Sequence, residues 1–528
     1  MTDFRLEMSD GKTIIGTKSV RVAVLPSGHD TTAKAAKYRD RNKGKTHTNY
    51  RFNLPYATSL EGVGRWTAPT RLTTLPTDPF DGRPIGPIAH QTSGPFPTSR
   101  AGWRINDGKG KQPFDWHDWG AVESEDCCWI TIDTPAPYRG ANLPVRFQMK
   151  GGGNTQNPRM LPRTTGDALP MVSVMVEDPL STFGFFTHPS LGDDHQINLA
   201  YSCTLAALDW VRENIADFGG NPSRVMNDGG SAGAQKGTRL MPHHADRFHS
   251  VLAHSGAGAG KGATRERAEA VGQEFWGKLI KTRPAFYDRS RTIQQVADQD
   301  GIATALRLGP SPEQILAFAN RRNSYVFADG GYTRESLPGL NIWPAEDGTI
   351  VQHRTAIASV LDGAWPTSVP YMAGYVSNEA GLIDNARDVT EGDAWFDVLG
   401  IGPDDYDEAI ALLEKPGDRW QRILYGMLYG YGAERLCREH SLAGGKSYFY
   451  YFDLDTAGNG RDAPSHVNQQ AHFVGKPEWQ SAQGQSEETA ILYEAQLRSS
   501  AWCSQALVNF AANGDPNDPF ITDLTPDY

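Results

Sequence analysis

The chain has 528 residues, with 51 Lys and Arg against 62 Asp and Glu, a net charge of −11. That acidic balance argues against a nucleic-acid-binding role, which draws its affinity from basic stripes on phosphate. Hydrophobic residues at 39% and aromatic residues at 10% exclude wholesale disorder, and no run approaches the roughly 18 apolar residues that span a bilayer.

At ~150 residues per domain, length alone favours three to four domains, although large α/β enzymes wrap a comparable length around one sheet. The start, MTDFRLEMSDGK, shows neither a basic nor an apolar leader region, so the expected compartment is the cytoplasm; a trimmed secreted form reads the same. In chain order, the alternating segment Thr13–Val24 predicts antiparallel strands. A basic stretch follows, Lys34–Arg51, with seven Lys and Arg and only Asp40 opposing, and reads as a solvated surface segment before an anionic-ligand patch. Residues 61–125 read mostly as loop, with Trp103, Trp116 and Trp119 as packing or pocket-mouth aromatics.

From residue 128 short β-rich runs appear: Trp129–Ile132, Val145–Met149 and Val172–Val176. Leu205, Leu208, Val211, Ile215 and Phe218 then fall at spacings of three or four and predict an amphipathic helix, stopped by Gly219-Gly220 and Pro222. His249–His254 reads as a strand and 264–325 as helical, with Ser311-Pro312-Glu313-Gln314 as a capping box. Val369–Tyr375 and Tyr448–Leu454 are later strands, and a last helix carries Leu492, Ala495, Trp502, Ala506 and Phe510. Strands alternating with helices predict an α/β fold with a largely parallel sheet. Cys127, Cys128, Cys203, Cys437 and Cys503 form no CxxC and no zinc spacing, so buried thiols are expected.

Two segments carry chemistry. Gly229-Gly230-Ser231-Ala232-Gly233 matches G-x-S-x-G, where small neighbours let a sharp strand-to-helix turn present a serine hydroxyl. A helix is expected from Ala232, but Val225-Met226-Asn227-Asp228 makes a poor strand, with two polar residues where apolar ones belong. Upstream, Gly151-Gly152-Gly153 follows the strand Val145–Met149, so its backbone N–H groups can approach an oxyanion that the N–H of Ala232 would also hold. Two other segments are set aside. SGAGAGK at 255–261 lacks the glycine and Ser/Thr that a phosphate loop needs, and His243-His244 with Asp246 read as surface residues, not metal ligands.

These pieces resemble the type-B carboxylesterases, the cholinesterase-like branch of the α/β-hydrolases. FNLPYA (52–57) is similar to the family's F-x-G-I-P-Y-A, EDCCWITIDTP (125–135) to its E-D-C-L-Y-L-N-x-x-T-P, and KGGGN (150–154) to its H-G-G-G-F. ALDWVRENIADFGGNPSRV (207–225) is the strongest match; FHSVLAHSG (248–256) and NFAANGDPN (509–517) extend it along most of the chain. The resemblance implies an α/β-hydrolase fold over 1–528 as one domain: a large, twisted, mostly parallel central sheet with helices on both faces. Helical and loop insertions would cover the C-terminal strand ends, chiefly at about 264–345. It implies Glu379, in VPYMAGYVSNEAG (369–381), and His466, opening HVNQQAHFVG (466–475), as partners of Ser231, with His472 the nearest competitor. Gly152, Gly153 and Ala232 would form the oxyanion hole. The implied activity is hydrolysis of small-molecule carboxylic esters through an acyl-enzyme, with no cofactor, metal, nucleic acid or membrane. Amide, lactone or carbamate hydrolysis on the same triad, or a catalytically silent binding protein, are the alternatives.

Departures cluster near the site. Gly230 stands where the family has Glu, Lys150 precedes the triple glycine, and Gln469 replaces a Glu, so cationic choline-type substrates are not expected. Pro179 and Cys203 replace both partners of the family's buried Arg–Asp pair; losing one would strand a charge at roughly 3–5 kcal/mol, whereas losing both is close to neutral. The family's disulfide would involve Cys127, but 84–91 offers no cysteine to pair with it.

Overall fold

The computed structural model describes residues 2–22, 46–91, 104–106, 111–113, 122–154, 170–257, 263–281, 291–316, 344–352, 356–377, 379, 426–454, 466–474 and 487–520. Their strands are β1 (Thr2–Glu7), β2 (Thr13–Val22), β3 (Thr46–Pro55), β4 (Phe80–Asp81), β5 (Arg104–Asn106), β6 (Lys111–Pro113) and β7 (Trp129–Thr134). β8 (Leu143–Met149), β9 (Val172–Val176), β10 (Gly220–Gly230), β11 (Ser250–His254), β12 (Tyr371–Val376) and β13 (Ser447–Phe452) follow. One sheet runs β1-β2-β3-β7-β9-β8-β10-β11-β12-β13, with β4 beside β2, while β5 and β6 pair separately. From β9 to β13 every pairing is parallel, whereas β1, β2, β3, β7 and β9 pair antiparallel. The sheet is thus mixed: parallel across the half that carries the site and antiparallel across the N-terminal half.

Parallel strands are covered on both faces, which explains why β8 and β9 are buried along their whole length. Side chains alternate between faces along a strand. Val225, Val251, Ala253 and Tyr371 belong to one core cluster, and their neighbours Met226, Leu252 and Met372 to a second. On the first face lie α2 (after the short α1, Ser181–Phe185), spanning Leu199–Asn214, and α3 (Ala232–His244). The second face is covered by the end of the C-terminal helix, through Leu507, Val508 and Phe510.

Further helices among the described residues are α4 (Arg265–Lys281), α5 (Ile293–Asp300), α6 (Ile302–Leu308), α7 (Ala356–Leu361), α8 (Gly432–Leu442), α9 (Gln469–Phe473) and α10 (Glu487–Asn513). The helix predicted from Leu205 begins six residues earlier, at Leu199, because Leu199, Ala200 and Tyr201 are also buried. It tightens into a 3₁₀ turn at Ile215–Phe218 and stops at Gly219, whose φ of 87° favours glycine. At 311–314 the predicted capping box is present: Ser311 N–H donates to Gln314 Oε1 at 2.9 Å and Gln314 N–H to Ser311 Oγ at 3.3 Å.

Trp103, Trp116, Trp119 and most of the basic stretch lie outside the described residues; Arg51, its last member, sits on β3 and donates to Asp133 of β7 at 2.7 Å. Among the described residues no helix is long and apolar enough to cross a membrane.

Candidate active site

β8, β10 and β11 run side by side and parallel, so the segments leaving their C-terminal ends meet at one edge of the sheet. β10 passes into α3 with Ser231 as the only residue between them, at φ 56° and ψ −124°. A non-glycine residue there is strained, and such strain persists only where the surroundings fix it. Ser231 N–H donates to His254 O at 2.9 Å, and Ser231 O accepts from Gln235 N at 3.1 Å, so both backbone groups are held. Gly233 lets the first turn of α3 press onto the end of β8: a Cβ there would lie 2.9 Å from Lys150 O.

The glycine loop reaches the same place. A Cβ on Gly151 would sit 2.7 Å from Gly230 O and 3.2 Å from the Ser231 Cβ. Gly152 and Gly153 then turn at φ 79° and 62°, and the loop is tied down where Ser181 N–H donates to Asn154 O at 2.6 Å. Gly152, Gly153 and Ala232 therefore lie in the segments that meet at Ser231.

Glu379 follows β12 by three residues and is fastened by Val376 N–H, which donates to its Oε1 at 3.0 Å. Its Oε2 is hydrogen-bonded to His466 Nδ1, both side chains being buried. His466 Nε2 has no hydrogen-bond partner among the described residues. His472 is held elsewhere: it is buried on α9 with its ring 4.9 Å from that of Phe452. Burial also lowers its pKa to about 4, which keeps it neutral.

Two residues not singled out in the sequence, Tyr429 and Gln470, complete the site together with Gln469. Tyr429, in a π-helical turn at Gly426–Tyr431, places its ring 4.6 Å from that of His466 and its hydroxyl in a hydrogen bond with the Ser231 side chain. Gln470 fills the space beside the elbow, since a Cβ on Gly230 would lie 2.5 Å from its Nε2. The carboxylate absent at 230 thus leaves no cavity; a neutral amide occupies its place. Gln469 donates to Ser255 Oγ at 2.8 Å and to Tyr450 Oη at 3.2 Å.

The polar strand before Ser231 has a physical cause. Asp228 is buried on β10, where Arg146 of β8 donates to its Oδ2 and His254 Nε2 of β11 lies 3.2 Å from its Oδ1. His254 Nδ1 in turn meets Tyr450 Oη at 2.6 Å. Burial alone would raise the Asp228 pKa, but the Arg146 guanidinium and His254 outweigh it and hold the carboxyl at about 2. The expectation of a poor strand is corrected accordingly: β10 is paired along both edges, and its buried acid is matched by a cation from the neighbouring strand.

Similar pairing surrounds the glycine loop. Lys150 is paired with Glu177 and Lys236 with Asp178, all four buried. Cys203 lies with its Sγ 3.8 Å from that of Cys128. All five cysteines are free and buried, Cys127 among them.

Comparison with known proteins bears on this arrangement. The family model described as "Carboxylesterase family" matches residues 37–393. Liver carboxylesterase 1F of Rattus norvegicus is 26% identical over 435 residues, covering 75% of this chain and 71% of the relative. Cocaine esterase of Homo sapiens is 33% identical over 263 residues, covering 45% and 43%. Among solved structures, a PNB esterase superposes with a TM-score of 0.68 at 19% identity, covering 98% of this chain and 92% of that one. A carboxylesterase from Geobacillus stearothermophilus gives 0.66 at 20% identity, covering 97% and 91%. These structures share the α/β-hydrolase fold, and on the family match the chain belongs to the carboxylesterase family, the enzymes that hydrolyse carboxylic esters.

Proposed function

We propose that Ser231 is the nucleophile of this ester hydrolase, that His466 oriented by Glu379 is its base, and that Gly152, Gly153 and Ala232 hold the oxyanion. The observation that carries the reading is the strained Ser231 elbow and the buried His466–Glu379 pair, linked by Tyr429, which is in contact with both Ser231 and His466. In acylation, His466 Nε2 takes the Oγ proton as Oγ attacks the ester carbonyl, and then gives it to the departing alcohol. Glu379 fixes the tautomer that leaves Nε2 basic and stabilises the imidazolium that forms. Each oxyanion donor contributes roughly 3–4 kcal/mol to the transition state. Water then enters with His466 again as base. This chemistry asks for no metal or cofactor, and its partner is a small-molecule ester.

Selectivity follows from charge. Gly230, Gln469 and Gln470 bring no carboxylate to the elbow, and among the described residues Glu177, Asp178, Asp228 and Glu379 are paired with Lys150, Lys236, Arg146 and His466. We read the substrates as neutral esters. The polar strand before Ser231 is accounted for by its buried pairing and is no mark against catalysis.

The test is kcat/KM over matched esters and amides sharing one acyl group, in the native enzyme and in Ser231→Ala and His466→Ala. We expect ester preference and losses of at least about 1000-fold in either variant. Activity within tenfold of native in Ser231→Ala would overturn the assignment.

A further inference from the structure

We propose that Tyr429 is a further catalytic residue, whose phenol hydrogen-bonds Ser231 Oγ and supports that oxygen as leaving group when the acyl-enzyme is hydrolysed. The inference rests on Ser231 being the nucleophile. Three observations motivate it. The Tyr429 hydroxyl is hydrogen-bonded to the Ser231 side chain, whose one polar atom is the Oγ that would react. The tyrosine ring packs on His466 at 4.6 Å, tilted by 46°, so the same residue abuts both base and nucleophile. And the turn that carries it is fixed: Gly430 is buried, and a Cβ there would lie 2.9 Å from the ring of Tyr375 on β12. The turn is π-helical, with one extra residue per hydrogen-bonded ring, and feeds directly into α8. Such insertions are uncommon and recur at functional sites, where they re-aim a side chain.

The proton balance of the step is simple. Water attacks the acyl carbonyl as its proton passes to His466 Nε2, giving a tetrahedral intermediate. The bond between the acyl carbon and Oγ then breaks, and the proton on Nε2 moves to Oγ. Tyr429 keeps its proton throughout and donates a hydrogen bond to Oγ as charge develops there. Burial and the Glu379 charge push the phenol pKa upward, outweighing the opposing effect of the Ser231 hydrogen bond, so the phenol stays protonated at neutral pH. In acylation Oγ also develops charge as its proton leaves. There, however, the donor already bonds the hydroxyl oxygen in the ground state, a better acceptor than the ester oxygen of the acyl-enzyme, so its gain at the transition state is smaller.

Tyr429→Phe keeps the ring against His466 and removes only the hydroxyl. Native and variant enzyme are treated with p-nitrophenyl dimethylcarbamate, which releases nitrophenolate on attack and leaves a slowly hydrolysed carbamoyl-enzyme. Nitrophenolate release reads acylation; the intact-mass adduct, mapped by peptide, reads its site; its decay after gel filtration reads deacylation. We expect an adduct on Ser231 in both proteins, carbamoylation within about threefold, and decay slowed about 10- to 100-fold in the variant, the range of one hydrogen bond to a charged oxygen. Equal decay rates, equal slowing of both steps, or loss of the Ser231 adduct in the variant alone would each overturn the role of Tyr429. No Ser231 adduct in the native enzyme would instead overturn the nucleophile assignment beneath it.

Discussion

Asp228→Asn removes one negative charge from the strand that ends at Ser231 and leaves Arg146 buried without its counter-charge. The side chains of Arg146 and Asp228 are 5% and 1% exposed, so water cannot replace the lost partner. Breaking a buried pair from one side costs about 3–5 kcal/mol. At ~2.1 cal/mol/K per residue, 528 residues give an unfolding entropy of about 1.1 kcal/mol/K, so the melting temperature should fall by about 3–5 °C at pH 7. Arg146→Met alone strands Asp228 and should cost a similar amount, whereas Arg146→Met with Asp228→Asn should recover at least half of the summed loss. The acid side gives an independent reading. Asp228 is held at about 2 against ~3.9 in an unfolded chain, so its ionisation contributes roughly 2–3 kcal/mol, present above pH ~4 and lost as pH falls towards 2. Calorimetry of the four proteins from pH 7 to pH 2 measures both. A single variant within a degree of native at pH 7, or strictly additive losses in the double variant, would refute the buried-pair reasoning.

Other outcomes follow from the same structure. His472 is kept neutral by burial with a pKa of about 4, so an unfolded histidine binds the proton first as pH drops below ~6.5; His472→Phe should therefore lose about 2 kcal/mol less than native between pH 7 and pH 5, seen as a smaller fall in melting temperature. Gly230→Glu alone should lower activity because its Cβ runs into the Gln470 amide, and adding Gln470→Ala should restore turnover while raising kcat/KM for cationic over neutral esters of one acyl group. If Gly230→Glu is active without the second change, the packing of Gln470 against the elbow is not what the geometry implies. Ser231→Ala should retain the native melting temperature within a few degrees while losing turnover, because alanine keeps the Cβ and the backbone of the elbow and removes only the hydroxyl contacts.

How much of this was legible beforehand depended on the range over which each signal acts. The elbow, the triple glycine, the amphipathic stretch ending at Gly219 and the Ser311–Gln314 cap are local patterns, and each stands where its spacing placed it. Glu379 and His466 had no local mark; only the family resemblance picked them out, because their pairing spans 87 residues. Asp228 looked like a defect because its compensation lies on other strands: Arg146 stands opposite Met226 in the register of β8 and β10, and His254 opposite Gly230 across β11. Nothing in one strand announces its neighbour. Tyr429 carried no sequence signal beyond a Tyr- and Gly-rich run, since its role comes from a turn that brings it to Ser231 and His466 at once. Gln470 was invisible for the same reason: the glycine at 230 was readable, but not the side chain that fills its space.

The central claim is that Ser231 performs the covalent step. Treatment with a serine-directed fluorophosphonate, followed by peptide mapping, tests it most directly. A single adduct on Ser231, absent in Ser231→Ala and slowed in His466→Ala, is the predicted result. A label on another residue, or no label while an aryl ester is still cleaved, would contradict it.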